Sequence, residues 1–450
     1  MTIKGISDTV NRTCIRTTLS RLHSRSFKYK TLIVDLYGWL HAGKNVCGVV
    51  ELLADGLPCP PLISFIVRRI EMLSLGGKFK VIAVCDGVSS VQKNATDQAR
   101  QKKRAQQLKD ARIARINGEI DKATQLFRSS VDITADVAKQ VVDHLNAMSA
   151  EERKRIGLEK CVVSINEADP MLVYLNRKIP KSCIVSRDFD MVPWGAISCL
   201  FKVDYRTGVV ELYLREVFDV SAIVSRRPLI VTQNQLIDIC VFAGCDYVKS
   251  LPGVGFAAAV KHIREYGSAE KVLAQWSKEN KPGCHDEYVA SVFRAITMFR
   301  YCWVVDEETK SIVNINNYDE SRCSTFDIKL FLDPKPDTEI ALAVYNGELP
   351  PAFLLPDSDA FEECDPPPPE PIPSATTIAP CHDASVLSQF HLTKFPPYDR
   401  AMTKNELMLL LVLPTQQVPN SGIFNGNGKY DRQKTLRVFT VSYGWVSATA

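Results

Sequence analysis

Several common features are missing from this 450-residue sequence, and each absence excludes a class of protein. Fourteen cysteines occur, but none forms a C-x-x-C pair and none stands with histidine at a spacing suited to zinc. Several of them lie in apolar runs, which indicates buried free thiols in a reducing compartment rather than a disulfide framework. The longest uncharged apolar run, 407–413, is too short to span a bilayer, and no secretory signal is present, so we expect no membrane association.

The composition that remains is ordinary for a globular protein, with 46% apolar and 24% charged residues. The length is sufficient for two or three domains. The net charge of +4 is mild, so only the local distribution of charge can indicate a partner. That distribution begins unevenly, because residues 9–30 carry basic, Ser and Thr side chains but no acid, as transit peptides do. The alternative is a basic segment of the mature protein.

Carboxylates follow four apolar runs that have the length and composition of buried strands. The runs 31–34 and 78–85 end in Asp35 and Asp86, whereas 161–165 and 182–186 are followed by the pairs Glu167/Asp169 and Asp188/Asp190. The carboxyl ends of parallel strands meet at one edge of a sheet, where ligands of open α/β folds bind. Six acids at such an edge repel one another strongly, which favours bound cations. The sequence therefore predicts an α/β fold with a mostly parallel, twisted central sheet, flanked by helices, and a metal site at its edge.

A basic helical stretch follows the second of these strands. Residues 93–128 contain ten basic and four acidic side chains and very little Gly or Pro. Lys93, Arg100 and Arg104 fall at i, i+7 and i+11, which places them on one helical face. A solvated surface helix would have the same composition, but its position close after Asp86 also suits electrostatic binding of phosphates.

A glycine turn farther along the chain predicts a second phosphate-binding element. Leu-Pro-Gly253-Val254-Gly255 follows the seventh candidate acid, Asp246, and leads into an alanine-rich helix at 256–266. Such a turn presents backbone N–H groups at a helix N-terminus, which suits a phosphate. The spacing is that of a helix-hairpin-helix clamp on the DNA backbone.

Together these motifs resemble the structure-specific 5′ nuclease family, which includes the flap endonucleases and, as the branch with the greatest likeness, the eukaryotic type 1 exonucleases. The resemblance extends from about residue 1 to about residue 350, with a PIN-like fold, a helical arch and the helix-hairpin-helix clamp as the implied architecture. It rests on the residues around Asp35-Leu-Tyr-Gly-Trp39-Leu-His41, Cys-Asp86-Gly, Asn-Glu167-Ala-Asp169, Arg-Asp188-Phe-Asp190, Gly-Cys-Asp246-Tyr and Leu251 to Gly255, together with 128–134.

The resemblance implies a role for each of these positions. All seven acids would ligate two divalent metals, Mg²⁺ or Mn²⁺ in its place, with Lys93 and Arg100 polarising the scissile phosphate. His41 would stack near the terminal base. Ser250 and the Val254 carbonyl would hold a monovalent cation, K⁺, in the clamp. The implied DNA-binding residues are Lys103, Arg104, Gly253, Gly255 and Lys261.

Three positions depart from the family pattern. Thr2 stands where glycine is usual, although the matches at Ile3 and Gly5 argue that this segment belongs to the mature fold and favour a nuclear protein over a mitochondrial one. Arg187 stands where an acid is common, so its charge could tune metal affinity. Ala243 replaces a usual serine and puts one side-chain contact to the monovalent cation in doubt.

The expected organisation is a catalytic domain over 1–350, a Pro-rich linker over 356–385 and a tail over 386–450. The catalytic domain divides into an N-terminal nuclease region (about 1–145), an internal nuclease region (about 150–265) and a helical wrap (about 265–350). Two Gln-x-x-Leu-x-x-Phe stretches in the tail, beginning at Gln389 and Gln433, resemble sliding-clamp motifs without the second aromatic residue. The tail is thus a candidate contact for a sliding clamp or for mismatch-repair proteins.

The function that we predict is 5′→3′ exonuclease activity on double-stranded DNA, with cleavage of 5′ flaps, by a monomer that acts in mismatch repair, end resection and recombination. The alternatives are a replication flap endonuclease and a DNA-binding scaffold with weakened catalysis.

Overall fold

The computed structural model describes residues 3, 5–24, 26–46, 48–89, 94–215, 231–316 and 331–355, and for 94–100 only the backbone. All of these residues fall within one compact unit, Met1–Ser358. The predicted linker and tail lie outside the described residues, and so do Thr2 and Lys93. In the described part of the chain, no helix has the length and apolar character needed to cross a membrane.

Strands and helices alternate along the chain. The strands are β1 (Ile15–Thr18), β2 (Thr31–Asp35), β3 (Lys80–Cys85), β4 (Leu158–Val163), β5 (Ser182–Val185), β6 (Ser198–Val203), β7 (Val209–Leu214), β8 (Trp303–Asp306) and β9 (Ser311–Asn314). The helices up to β7 are α1 (Ile6–Thr13), α2 (Leu19–Leu22), α3 (Leu36–Gly43), α4 (Val49–Ala54), α5 (Pro60–Ser74), α6 (Asn94–Ile116), α7 (Ile120–Ser130), α8 (Ala135–Ala147), α9 (Ala150–Ile156), α10 (Ala168–Lys178) and α11 (Met191–Trp194). Those after β7 are α12 (Gln233–Ala243), α13 (Phe256–Tyr266), α14 (Ala269–Lys278), α15 (Asp286–Tyr301) and α16 (Thr338–Tyr345), before a 3₁₀ turn at Pro351–Leu354.

The central sheet has seven strands in the order β1-β7-β6-β5-β2-β3-β4. Strands β6, β5, β2, β3 and β4 run parallel. At one edge, β7 pairs antiparallel with β6, and β1 pairs antiparallel with β7. The strand order reverses between β2 and β5, which makes this pair the switch point at which ligands of open α/β sheets bind. The predicted α/β fold with a mostly parallel sheet is confirmed.

Successive side chains of a strand point to opposite faces of the sheet, and here both faces are buried. In β2, Leu32 and Val34 pack on one face and Ile33 on the other. The first face is covered by apolar residues of α3, α5 and α8, and the second by those of α10, α12 and α13. Near-continuous apolar runs are therefore required here, as in parallel sheets generally.

The basic stretch forms two helices rather than one. Helix α6 ends at Ile116, the chain turns at Gly118 with φ of +77°, and α7 begins at Ile120. The two helices pack through Ala111, Ala114, Ala123 and Phe127, which form a small core with Val50 of α4 and Val131. The prediction of a helical segment was correct, but it missed this break because a single glycine was not weighted as a turn.

A buried ion pair joins helices α12 and α15. Asp238 of α12 is 2% exposed and accepts a hydrogen bond of 2.6 Å from Arg300 of α15. Its other oxygen accepts from the backbone N–H of Ala269, the first residue of α14, at 3.0 Å. Burial raises the pKa of Asp238 even though Arg300 opposes this. One carboxylate thus joins three helices.

We expect Arg300→Met to lower the free energy of unfolding by about 3–5 kcal/mol, because it leaves the buried Asp238 carboxylate without its counter-charge. The double variant Asp238→Leu/Arg300→Met should recover most of that loss. Urea denaturation of the three proteins measures the effect. Lys80→Met, which breaks the exposed pair with Glu159, is the control and should cost less than about 1 kcal/mol. Equal losses for the buried and exposed pairs would contradict the assignment.

Candidate metal and nucleic-acid site

Six acids lie at the carboxyl edge of four adjacent parallel strands. Asp35 is the last residue of β2, and Asp86 directly follows β3. Asp188 and Asp190 follow β5, which pairs with β2 in register. The remaining two, Glu167 and Asp169, stand at the start of α10 just beyond β4. The predicted position of all six at strand ends is confirmed by the topology.

The electrostatics join these acids, and Asp246 with them, into a single cluster. Burial and the charges of Asp188, Glu167, Asp35 and Asp86 raise the pKa of Asp169 well above its ordinary value. Burial, Asp188 and Asp246 likewise raise the pKa of Asp190, against a smaller opposing effect of the Ile3 N–H. Asp246 comes from the turn after α12, far from the strands in sequence. The structure thus brings all seven predicted acids within mutual electrostatic range.

Uncharged donors hold the carboxylates in position. Asp35 accepts from the Gly38 N–H at 2.9 Å and from the Ser186 hydroxyl at 3.0 Å. The Ala168 N–H donates to Asp86 at 2.8 Å, and the Tyr247 hydroxyl donates to Glu167 at 3.1 Å. These bonds orient the acids without neutralising them.

The N-terminal segment contributes directly to the site. The Ile3 N–H donates to Asp190 at 3.2 Å, and the Ile3 side chain is 1% exposed. Gly5 has φ of +92°, and a Cβ there would lie 2.7 Å from the Phe256 Cβ. The N-terminal segment therefore packs against α13 and contacts the acid cluster, and the expectation that Ile3 and Gly5 belong to the fold is confirmed.

Gly87 is required by close backbone packing beside the site. A Cβ at this position would overlap the Ser164 carbonyl, and the Gly87 N–H donates to the Asn166 carbonyl at 2.8 Å. The loop after β3 is thereby held against the loop after β4. This contact keeps Asp86 next to Glu167 and Asp169.

The donor set suits a hard divalent cation. Its ligand atoms are carboxylate oxygens, which Mg²⁺ and Mn²⁺ prefer, and no histidine or cysteine is needed. In the described part of the chain, no three His, Cys, Asp or Glu side chains converge on one point as direct ligands of a single ion. Mg²⁺ takes only one or two carboxylates directly and keeps several waters, so it does not need such convergence. The residues fit Mg²⁺ by their chemistry.

His41 lies on α3 beside the site in its neutral form. Burial and, to a smaller extent, the Lys44 charge lower its pKa to about 4. Its ring lies edge-on to Tyr37 at 5.6 Å. A neutral imidazole can stack on a base, but it is not a phosphate-binding cation near neutral pH.

Helix α3 and the residue that follows it, Lys44, hold the end of the α6–α7 hairpin. The Lys44 ammonium donates to the Val131 carbonyl and the Tyr37 hydroxyl to the Ile133 carbonyl, each at 2.8 Å. Between these two contacts, Asp132 forms an ion pair with Arg104 of α6. Arg104, predicted to bind DNA, is thus already paired within the protein, whereas Lys103 is exposed. Lys93 and the Arg100 side chain lie outside the described residues.

The clamp turn leaves open space where its glycines stand. A Cβ at Gly253 or Gly255 would have no neighbouring atom within 4 Å, and Gly253 has φ of +77°. Ser250 and Lys261 are exposed, and the Val254 N–H donates to the Leu251 carbonyl at 3.0 Å. A backbone phosphate could approach this turn closely.

Sequence reasoning missed several residues that support the acids. Tyr247 directly follows the predicted acid Asp246, and Ser186 precedes Asp188 by two residues, so a polar residue close to a ligand was an available signal. Lys44 stands one turn after His41, which was a weaker signal. The Ile3 N–H is a backbone group and gives no sequence signal.

Comparison with known proteins identifies the acid-bearing segment. A family model described as the XPG I-region matches residues 159–246, which contain five of the seven acids. Exonuclease 1 of Oryza sativa subsp. japonica is 26% identical over 342 residues, which cover 75% of this chain and 38% of that protein. The chain is therefore similar to structure-specific 5′ nucleases.

Two further matches come from yeast and from a solved structure. DNA damage-inducible protein DIN7 of Saccharomyces cerevisiae is 28% identical over 294 residues, 65% of each chain. The solved catalytic core of Rad2 in complex with DNA substrate superposes with a TM-score of 0.42 at 15% identity, covering 75% of this chain and 87% of that one. The chain therefore spans little more than a third of the Oryza relative and under two thirds of the yeast one.

We expect Asp169→Asn to raise the melting temperature of the metal-free protein by about 2 °C or more, because it removes one charge from a crowded, buried cluster. The gain should be larger at pH 8 than at pH 5. Carboxyls whose pKa is raised by folding stabilise the fold at low pH and lose that contribution as the pH rises through the raised value. Thermal unfolding in EDTA at both pH values measures this.

Added MgCl₂ should raise the melting temperature of the wild type more than that of Asp169→Asn, since binding to the folded state alone is stabilising. The exposed carboxylate variant Asp55→Asn is the control and should behave as the wild type. A variant that is less stable in EDTA, with an unchanged Mg²⁺ response, would contradict the cluster as a cation site.

We expect Gly253→Val to weaken binding to all duplex sequences by the same factor, because its side chain would fill the space in front of the turn. Fluorescence anisotropy on several duplexes of equal length and different sequence measures this. Gly208→Val is the control, since Gly208 lies in the β6–β7 turn with φ of +70° and also has open space around it. A loss that varies with sequence would argue against recognition of the backbone.

Proposed function

We propose that this chain is a metal-dependent phosphodiester hydrolase that removes nucleotides 5′→3′ from double-stranded DNA and also cleaves 5′ flaps. The observation that carries the proposal is the row of six carboxylates at the carboxyl edge of a parallel sheet, with Asp246 near enough to influence Asp190. Such a cluster has a raised electrostatic energy when it is empty, which a bound cation relieves. Similarity to proteins named Exonuclease 1 supports the same reaction class.

Two divalent cations at the cluster, Mg²⁺ or Mn²⁺, would supply an activated water and charge neutralisation for phosphoryl transfer. The chain's own contribution is to hold the seven acids in position. Tyr247 and Ser186 do so through Glu167 and Asp35, and the N-terminal backbone does so through Asp190. All of these donors are uncharged, so the negative potential is preserved for the cations.

Substrate binding would use the clamp and the hairpin. Gly253 and Gly255 leave room for a backbone phosphate, with Lys261 exposed on the helix that follows and Lys103 exposed on α6. K⁺ held by Ser250 and the Val254 carbonyl would add a positive charge at the turn. Backbone contacts of this kind bind duplex DNA irrespective of its sequence.

Chemistry at the 5′ end would involve three further residues. Neutral His41 would stack on an unpaired terminal base, an interaction that is worth about 1–3 kcal/mol and offsets part of the cost of unpairing. Lys93 and Arg100 would direct positive charge at the scissile phosphate, where it stabilises the transition state.

The cellular role that we propose is DNA repair in the nucleus, including mismatch repair, end resection and recombination. Relatives named Exonuclease 1 and DNA damage-inducible protein support it. The tail at 386–450 would contact a sliding clamp or mismatch-repair proteins, and the catalytic unit would act as a monomer.

We expect release of mononucleotides and short oligonucleotides from a 5′-labelled recessed duplex in Mg²⁺, together with cleavage of a long 5′ flap. Denaturing gels over a time course measure both substrates with the same preparation. Cleavage confined to the flap junction would assign the chain to the alternative, a replication flap endonuclease.

Asp188→Ala is the matched control, since it should abolish both reactions but leave DNA binding in EDTA near the wild-type value. Retention of Mg²⁺-dependent cleavage by this variant would contradict the carboxylate assignment. A wild type that binds both substrates but cleaves neither would favour the remaining alternative, a DNA-binding scaffold with weakened catalysis.

A further inference from the structure

A pair of arginines stands at the carboxyl edge of the sheet, beside the acid cluster. Arg187 lies two residues after the end of β5 and directly precedes Asp188, and Tyr205 lies two residues after the end of β6, the parallel neighbour of β5. The carboxyl ends of adjacent strands lie about 5 Å apart, so the loops that bear these residues are neighbours. Arg187 is exposed.

Arg69 of α5 reaches the same place from the helical layer. Its guanidinium carbon lies 4.4 Å from the Phe65 ring centroid, 4.6 Å from that of Tyr205 and 5.7 Å from that of Trp39. Stacking on aromatic faces fixes the plane of a guanidinium and leaves its N–H edge available to an oxyanion. Arg69 is therefore held in position without a carboxylate.

The two arginines influence each other electrostatically. Burial lowers the pKa of Arg69, and the Arg187 charge lowers it further, against an opposing effect of Tyr205. No carboxylate of the described residues lies within ion-pair distance of either guanidinium. Among the described residues, the pair therefore has no carboxylate counter-charge.

We propose that Arg69 and Arg187 bind one backbone phosphate of a DNA strand that passes beside the acid cluster. A phosphate suits this place because guanidinium groups bind it through two parallel hydrogen bonds, and because one anion relieves the repulsion of two cations. The proposal rests on the proposed function, since it names a contact of that same substrate.

The test is DNA binding by the full chain in EDTA, where cleavage does not interfere. Dissociation constants for a recessed duplex are measured over a range of salt concentrations. Arg187→Gln should weaken binding by about tenfold at low salt and reduce the slope of log K against log salt by about 0.9, the value for one lost phosphate contact. Arg187→Glu should weaken binding further, and Arg187→Lys should retain part of it because it keeps the charge.

Arg69→Leu, which keeps apolar packing between the rings, should have the same effect as Arg187→Gln. Since both arginines contact one phosphate, the double variant should reduce the slope no further. Arg155→Gln is the control, because Arg155 is an exposed arginine of α9 that forms an ion pair with Glu71. Arg187 variants that match this control in affinity and slope would overturn the proposal, whatever the Arg69 variant does.

The two proposals fail in different ways. A wild type that binds and cleaves DNA, with Arg187 variants like the control, refutes only the arginine site. A wild type that does not bind the duplex refutes the proposed function and this inference together. Equal binding loss for the Arg155 control would show a general charge effect, which also refutes the site.

Discussion

Six carboxylates lie at one edge of the parallel sheet, with Asp246 near them, and burial and like charge oppose the ionisation of Asp169 and Asp190. Two unit charges 4 Å apart repel by about 4 kcal/mol at a dielectric typical of proteins. The raised pKa values of Asp35, Asp169 and Asp190 are the result of this crowding and burial. Strand order, the α10 start and the turn after α12 all serve to bring these charges together. The stability of the metal-free fold is lowered in return for affinity for cations.

The surroundings of the cluster maintain its charge. The contacts of Ile3 with Asp190, of Ser186 with Asp35 and of Tyr247 with Glu167 come from a backbone N–H or a hydroxyl. A lysine or arginine in the same role would form a stable ion pair and compete with the metal. Two basic side chains, Lys44 and Arg104, instead form contacts that join the α6–α7 hairpin to α3. Negative charge in the acid cluster suits a metal cation, and positive charge around the cluster suits a polyanion bound over it.

Much of the fold and of the acid cluster was predictable from the sequence. Buried parallel strands need continuous apolar runs, and the runs ending at Asp35 and Asp86 are of this kind. The Phe256–Tyr266 helix was predicted with the correct ends because Gly255 and Gly267 flank it. The break at Gly118 was missed because the polar residues around it continue the helical pattern on both sides.

Local pattern determined which residues are strands, helices and acids, because hydrophobic periodicity and turn residues act over a few positions along the chain. Tertiary structure decided what these residues contact. That Arg104 pairs with Asp132, that Ile3 donates to Asp190, and that Arg69 lies over the ring of Tyr205 depend on residues more than 25 positions apart. No spacing rule covers such pairs, since their distance is set by the packing of whole helices on the sheet.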